Sequence, residues 1–318
     1  MDDYIIRKIT KKKSRKIYHK YYDKKMNEIC HKPTLKAITE GIYIPPAYDN
    51  VKINRNKNQK IRAIGYDAKK RPQYIYHTEF VQEQKDKKFN HMILFGKKFA
   101  KINKKINSDL KSANKIDNQI AIILKLIMDC QFRIGNEKFR KDNKSYGTTT
   151  LEKKHLKIQS NSILIEFVGK KNVRNTCTVK NKKVVAILKR RNKTLKNKND
   201  QIFNISSKHV NDYLKHFGNF SAKNFRTWGA NIELISQLCK KCNKKEDYTS
   251  NDIKKLLKGS IHNVAKRLHN TSAVCKSNYL DPELIMFFTN DHKKFVDLFN
   301  NSNNDQLSNK YVSFLENL

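Results

Sequence analysis

Residues 117–130 are apolar on nearly every side. Ile120, Ile123, Leu124 and Ile127 recur at helical spacing, and Ile122 and Leu126 fill the gaps between them. A helix with so broad an apolar face has little surface to offer to water, so it has to be enclosed by other elements. The residues beyond it provide them. Helical patterns run through 210–217, 230–239, 253–268 (with Ser250 placed to cap) and 284–299. Between them Ile163–Val168 reads as a strand, turned at Gly169-Lys170-Lys171-Asn172, and residues 173–185 as its return. The Lys/Asn-rich stretch 188–200 reads as a loop, and residues 311–318 as a last docked turn.

Ahead of the apolar helix the pattern changes. Residues 41–48 form a proline-stiffened turn segment, 61–67 a strand entering a turn, and 73–77 a second alternating strand. The expected organisation is α+β: a basic N-terminal arm over 1–30, a small mainly β domain over 31–100, a basic connector over 101–115, and a larger mainly α domain with a small β-sheet over 116–318.

The 68 Lys and Arg outnumber the 29 Asp and Glu, for a formal charge of +39. Such an excess suits a polyanion, because each phosphate neutralised by Lys or Arg releases condensed counterions. No apolar run approaches the ~20 residues that span a bilayer, no basic amphipathic helix carries aromatic anchors, and residues 1–25 have no apolar stretch of the secretory kind; an intracellular protein with no membrane partner is expected. Cys30, Cys130, Cys177, Cys239, Cys242 and Cys275 are scattered along the chain, so reduced thiols are the default expectation. Cys239 and Cys242 form a CxxC with no second pair to complete a metal site, and Cys239 reads as the apolar end of a helix. There is no phosphate-binding glycine loop and no acidic cluster for magnesium, so neither a cofactor nor a metal is expected.

Five short segments carry the functional reading: Arg133-Ile134-Gly135-Asn136-Glu137-Lys138; Tyr146-Gly147-Thr148-Thr149-Thr150-Leu151; Phe167-Val168-Gly169-Lys170; Lys223-Asn224-Phe225-Arg226-Thr227-Trp228; and residues 270–282, which contain Ser277-Asn278-Tyr279-Leu280-Asp281-Pro282. Phosphodiester transfer on DNA without a metal needs a nucleophile, for which a tyrosine hydroxyl serves. It needs guanidinium forks on the non-bridging oxygens, and a general acid for the departing sugar hydroxyl, for which a Lys in a cationic site serves. Tyr279, Arg133, Arg226 and Lys170 have the right chemistry, but composition alone does not select four residues from so many basic and tyrosine side chains.

The order of the segments does. Over roughly residues 40–300 they resemble those of type IB topoisomerases, in particular the small enzymes of poxviruses, other large DNA viruses and some bacteria. The resemblance implies Tyr279 as nucleophile, Arg133 and Arg226 as stabilisers of the phosphate and transition state, and Lys170 as general acid. Lys170 follows the glycine directly, which selects it over Lys171. Poxvirus members carry a His that contacts a non-bridging oxygen ahead of the nucleophile. The matching position is Asn270, as in bacterial members, with His269 one place earlier as the alternative. The resemblance further implies relaxation of supercoiled double-stranded DNA through a 3′-phosphotyrosyl link, by a monomer that uses neither ATP nor metal. In a virus this would take place in the cytoplasmic factory or the virion. Its N-terminal domain would close over the duplex, with Lys69, Lys70 and Arg71 on phosphates, Gln73, Tyr74 and Tyr76 against the DNA, and Lys223 a further contact. The rival reading from related chemistry is a tyrosine recombinase or integrase, although those carry His-x-x-Arg where this chain has Lys223-Asn224-Phe225-Arg226. A non-catalytic DNA-packaging protein would explain the charge and none of the ordered motifs.

Overall fold

Side chains alternate along the first strand, β1 (Tyr4–Lys13), and put Ile5 and Arg7 on an inward face, where Ile5 is fully buried and Arg7 nearly so. The Arg7 guanidinium donates to the carbonyl oxygens of Ile44, Pro45 and Tyr48, 2.7–3.2 Å away. In this computed structural model, which describes residues 3–13, 16–67, 70–242, 247–300 and 302–318, the chain divides into two units, Met1–Asn90 and His91–Leu318.

In the first unit β1 pairs antiparallel with both β2 (Lys16–Tyr22) and β3 (Asp49–Asn54), which follows α1 (Lys32–Thr39). With β4 (Ile61–Tyr66) and β5 (Pro72–Tyr76) they make a five-stranded sheet in the order β2-β1-β3-β4-β5. The expected arm over 1–30 is therefore corrected: it supplies two of the five strands. Its outward Lys side chains concealed an inward set as small as Ile5 and Arg7. The core of this unit is Ile5, Ile38, Val51, Ile53 and Ala63.

The expected connector over 101–115 is corrected as well. Helix α2 runs unbroken over Thr78–Asp109, and the boundary between the units falls within it, at residues 90 and 91. Ile102 and Ile106 are fully buried and Leu110 nearly so. Three apolar residues four apart make a stripe narrow enough to look polar in composition, yet sufficient to seat a helix.

In the second unit the apolar segment is α3 (Lys115–Cys130), and Ile120 through Leu124, Leu126 and Ile127 are all buried. Around it lie α4 (Glu137–Asn143) and a three-stranded antiparallel sheet of β6 (Leu156–Ile158), β7 (Ile163–Val168) and β8 (Arg174–Val179). Helices α5 (Lys182–Thr194), α6 (Ser207–Lys215), α7 (Ala222–Lys241) and α8 (Ser250–Arg267) follow, then α9 (Ser272–Asn278), α10 (Pro282–Asn290), α11 (His292–Phe299) and α12 (Asn304–Glu316). The expected loop at 188–200 begins as the end of α5, because Val184, Val185, Ile187 and Leu188 give that basic helix an apolar face. The capping residue ahead of α8 is Thr249, whose hydroxyl accepts from the Asp252 N–H, rather than Ser250. The single helix expected over 284–299 is two, broken at Asp291. Trp228 is buried against Phe95, Phe99 and Tyr311. No helix among the described residues is long and apolar enough to cross a membrane.

The default of reduced thiols is contradicted at one pair. Cys130 and Cys177 form a disulfide, because the end of α3 packs on β8 and brings their Cα atoms to 5.6 Å, within the span such a bond requires.

Candidate active site

Arg226 lies in the first turns of α7 and is 4 % exposed. A guanidinium survives such burial only if its donors are met. Nε donates to the Gln131 carbonyl at 2.8 Å, one terminal nitrogen to the Leu268 carbonyl at 2.9 Å, and the other to the Tyr279 hydroxyl oxygen at 2.8 Å. Burial lowers its pKa below the ordinary arginine value; Tyr279 opposes the shift and Arg133 adds to it. Its position depends on two irregular pieces of backbone. Gln131 ends α3 in the left-handed conformation, and Leu268 closes α8.

Tyr279 itself ends α9 and is 7 % exposed. Its backbone is clamped on both sides by one side chain. Asn231, fully buried five residues after Arg226 on the same helix, donates to the Tyr279 carbonyl at 3.0 Å and accepts from the Asp281 N–H at 2.8 Å. Asp281 then caps α10, accepting from the Glu283 N–H at 3.0 Å, while Tyr311 donates to its other oxygen at 3.0 Å. The Tyr-Leu-Asp-Pro segment is thus a helix end, a cap and a helix start in four residues, and this fixes the direction of the tyrosine.

Arg133 emerges two residues after Gln131. Thr148 and Thr149 hold its backbone: the N–H and hydroxyl of Thr148 donate to the Arg133 carbonyl at 2.9 and 3.1 Å, and those of Thr149 to the Ile134 carbonyl at 2.7 and 2.9 Å. Gly135 has φ +95°, and a Cβ on Gly147 would stand 2.5 Å from the Gly135 Cα, so these two segments meet only as glycines. Asn136 caps α4, and Glu137 pairs with Arg140. Much of the motif around Arg133 is therefore scaffolding for a single side chain.

The Arg133 guanidinium donates to the Asn270 side-chain oxygen at 2.7 Å, while the buried Asn270 amide nitrogen has no partner among the described residues. An unmet buried donor beside a guanidinium suits an anion. His269 lies beside this pair and lines the same cleft as Arg133 and Asn270. It has φ +53°, its ring lies against Phe132, and its Nε2 has no partner among the described residues.

Lys170 opens a 3₁₀ turn, Lys170–Asn172, that joins β7 to β8. A Cβ on Gly169 would lie 2.6 Å from the buried Asn175 side chain, so the glycine before the lysine is a packing requirement. Lys170 is exposed and shares one cleft of about 920 Å³ with Arg133 and Asn270. Lys171, in the left-handed conformation, lines it too. The structure therefore brings Arg226 to Tyr279 and Arg133 to Asn270, and sets Lys170 on the cleft that the second pair lines. Lys223 is exposed on α7.

The remaining expected contacts belong to the first unit. Tyr74 and Tyr76 are exposed on one face of β5 with ring centroids 6.2 Å apart. Gln73 is half-buried. Lys70 is exposed. Arg71 is exposed but engaged by Asp67, which accepts from it at 2.6 and 2.8 Å. Lys69 lies outside the described residues. Sequence reasoning did not find Asn231. The available signal was a polar amide between Ala230 and Ile232, in the apolar stretch of a helix interior where Asn is disfavoured.

Two histidines give the second unit an acid signature. Burial pushes His155 down to about 4, with Glu152 opposing; burial likewise pushes His269 down to about 4, with the Cys130 backbone opposing and Arg226 and Arg133 adding to the fall. A folded pKa below the ordinary 6.5 means that only the unfolded chain takes up these protons, so stability falls as pH drops from 6.5 towards 4. Urea midpoints between pH 7 and pH 4 should decline, and less so in His155→Gln/His269→Gln. Imidazole proton resonances of either residue titrating near pH 6.5 in the folded protein would contradict this.

Residues 77–284, which hold Arg133, Lys170, Arg226, Asn270 and Tyr279, match the family model described as eukaryotic DNA topoisomerase I, catalytic core. DNA topoisomerase 1B of Acanthamoeba polyphaga mimivirus is 29 % identical over 89 % of this chain and 87 % of its own length. DNA topoisomerase 1B of vaccinia virus strain Copenhagen is 27 % identical over 76 % of each, and DNA topoisomerase 1 of rabbit fibroma virus is 25 % identical over 82 % and 84 %. The chain belongs to the DNA topoisomerase I family and is an enzyme of the type IB class, in its small viral form.

Proposed function

We propose that this enzyme relaxes supercoiled double-stranded DNA by cutting and resealing one strand through Tyr279, with neither ATP nor a metal. The observation that carries the reading is the Arg226 guanidinium donating to the Tyr279 hydroxyl oxygen, with the Arg133–Asn270 pair and Lys170 on one cleft of the same unit.

A phosphate in that cleft would place its non-bridging oxygens on Arg133 and the unmet Asn270 amide, with Arg226 beside the attacking oxygen. Tyr279 gives up its hydroxyl proton to solvent and attacks phosphorus, the bond to the 5′ oxygen breaks, and Lys170 gives that oxygen its proton, to be taken back on resealing. The products are a 3′-phosphotyrosyl link and a 5′-hydroxyl. The duplex swivels, and the 5′-hydroxyl attacks the link to restore the strand. Because the link keeps a phosphoester bond, resealing needs no further energy. Lys70, Arg71, Gln73, Tyr74, Tyr76 and Lys223 would contact DNA outside the cleft, Arg71 after exchanging Asp67 for a phosphate.

The test is relaxation of negatively supercoiled plasmid in EDTA without ATP. Relaxation to completion is expected; a requirement for magnesium or ATP would refute the mechanism. Asn231→Ala should slow single-turnover cleavage ~100-fold, the cost of displacing a reacting group by about 1 Å. The variant should keep its affinity for uncleaved duplex, and wild-type cleavage by it would show that the clamp on Tyr279 is dispensable.

A further inference from the structure

The cleft that holds Arg133, Lys170 and Asn270 is also lined by both members of the Cys130–Cys177 disulfide, which the proposed chemistry does not use. Cys130 is the last residue of α3, three positions before Arg133. Cys177 stands on β8 opposite Ile165 of β7, with three residue pairs between it and the turn that carries Lys170. The bond thus ties the segment leading to Arg133 to the hairpin that presents Lys170. Among the described residues no hydrogen bond or ion pair holds the Lys170 ammonium, so its place is set by the hairpin. Besides the disulfide, the hairpin is held by the edge packing of Phe132 on Phe167, with centroids 4.8 Å apart, by its buried residues Ile163, Ile165 and Val179, and at the base of the turn by the Tyr146 N–H, which donates to the Val168 carbonyl at 2.9 Å.

We propose that Cys130–Cys177 is a thiol–disulfide exchange site that governs strand cleavage: oxidised, it fixes Lys170 across the cleft from Arg133, and reduced by a small thiol, it lets the hairpin drift. The pair acts as a positioning element, and the proposal rests on the reading of Lys170 as general acid. Cys177 is the more exposed of the two, and Arg133, Arg174, Lys266 and Arg267 line the same cleft, a cationic setting that favours thiolates and draws anionic thiols. A thiolate of a dithiol reductant attacks the Cys177 sulfur, the S–S bond breaks, and Cys130 leaves as thiolate and takes a proton. The reductant's second thiol then displaces Cys177, which is protonated in turn. Two electrons pass to the protein, and the reductant becomes a cyclic disulfide.

The experiment is single-turnover cleavage at a mapped site by oxidised and dithiothreitol-reduced enzyme, with alkylation of free thiols confirming each state. Two duplexes are compared, one with the normal 5′ oxygen and one with a bridging 5′ sulfur, whose departure needs no proton. Reduction should slow cleavage of the oxygen substrate about tenfold, less than the ~100-fold of a 1 Å displacement because Phe132 still holds Phe167. The sulfur substrate should be cut equally fast in both states, which also shows that the reduced protein is folded. Cys177→Ala should match the reduced enzyme whatever the redox state. Equal oxygen-substrate rates, equal losses on both substrates, or free thiols at both positions in air-oxidised protein would overturn the proposal. Lys170→Ala is the control for the underlying reading: failure of the sulfur substrate to rescue it would remove Lys170 as the acid and the proposal with it. Rescue of Lys170→Ala without a redox effect would overturn the proposal alone.

Discussion

Replacing Tyr279 by Phe is expected to abolish plasmid relaxation and the covalent adduct, with a loss on the order of 10⁴-fold or more, as when a catalytic nucleophile is removed elsewhere. The change deletes one oxygen. The ring keeps its place over the Arg226 guanidinium, whose carbon lies 5.0 Å from the ring centroid, and Asn231 keeps both of its backbone bonds. Arg226 loses one of three acceptors, a cost of about 1–3 kcal/mol. DNA binding should persist, because it rests on the basic surface. Retained relaxation by this variant would assign the nucleophile to another residue.

The second large effect is at Arg226. Lysine cannot replace it, because a single ammonium on a flexible stem does not reach the Gln131 and Leu268 carbonyls and the Tyr279 hydroxyl together. Arg226→Lys should cut single-turnover cleavage by about 10²–10³-fold or more, the scale of losing one preorganised donor at a developing charge. It should also cost stability, at about 1–3 kcal/mol for each buried carbonyl left unmet. The two losses separate in a comparison with Arg133→Lys. Arg133 is half-buried and bonds to a side chain, so its replacement should lower cleavage with a smaller shift in the urea midpoint. Equal destabilisation by the two lysines would show that the Arg226 hydrogen bonds are not structural.

The sequence was most informative where a residue type and its neighbours both had to be specific. The five segments were singled out by their ordered resemblance to the family, and within them Gly169 before Lys170, Gly135 with Gly147, and Pro282 after Asp281 are positions where backbone geometry leaves few choices. Asn270 was reached by counting positions, and only its bond to Arg133 separates it from His269 in space. Residues that act through buried contacts were harder to see. Asn231 looks like any helix residue until its two backbone partners are known. Cys130 and Cys177, 47 positions apart, show no pairing until α3 packs on β8. The β1–β2 hairpin was hidden because β2 lies at the sheet edge and β1, though paired on both sides, is Lys-rich, so alternation with only a few buried side chains resembles a solvated arm. The run Ile102, Ile106, Leu110 was missed for the same reason, since a basic composition outweighed a sparse but sufficient apolar stripe.

The most direct test is to trap the reaction on supercoiled plasmid in EDTA with denaturant, digest the adduct, and identify both ends of the link by mass spectrometry. The mechanism predicts DNA joined through its 3′ phosphate to the Tyr279 oxygen, with a free 5′-hydroxyl on the other fragment. A 5′-phosphate link, a different tyrosine, or relaxation with no covalent adduct would contradict it.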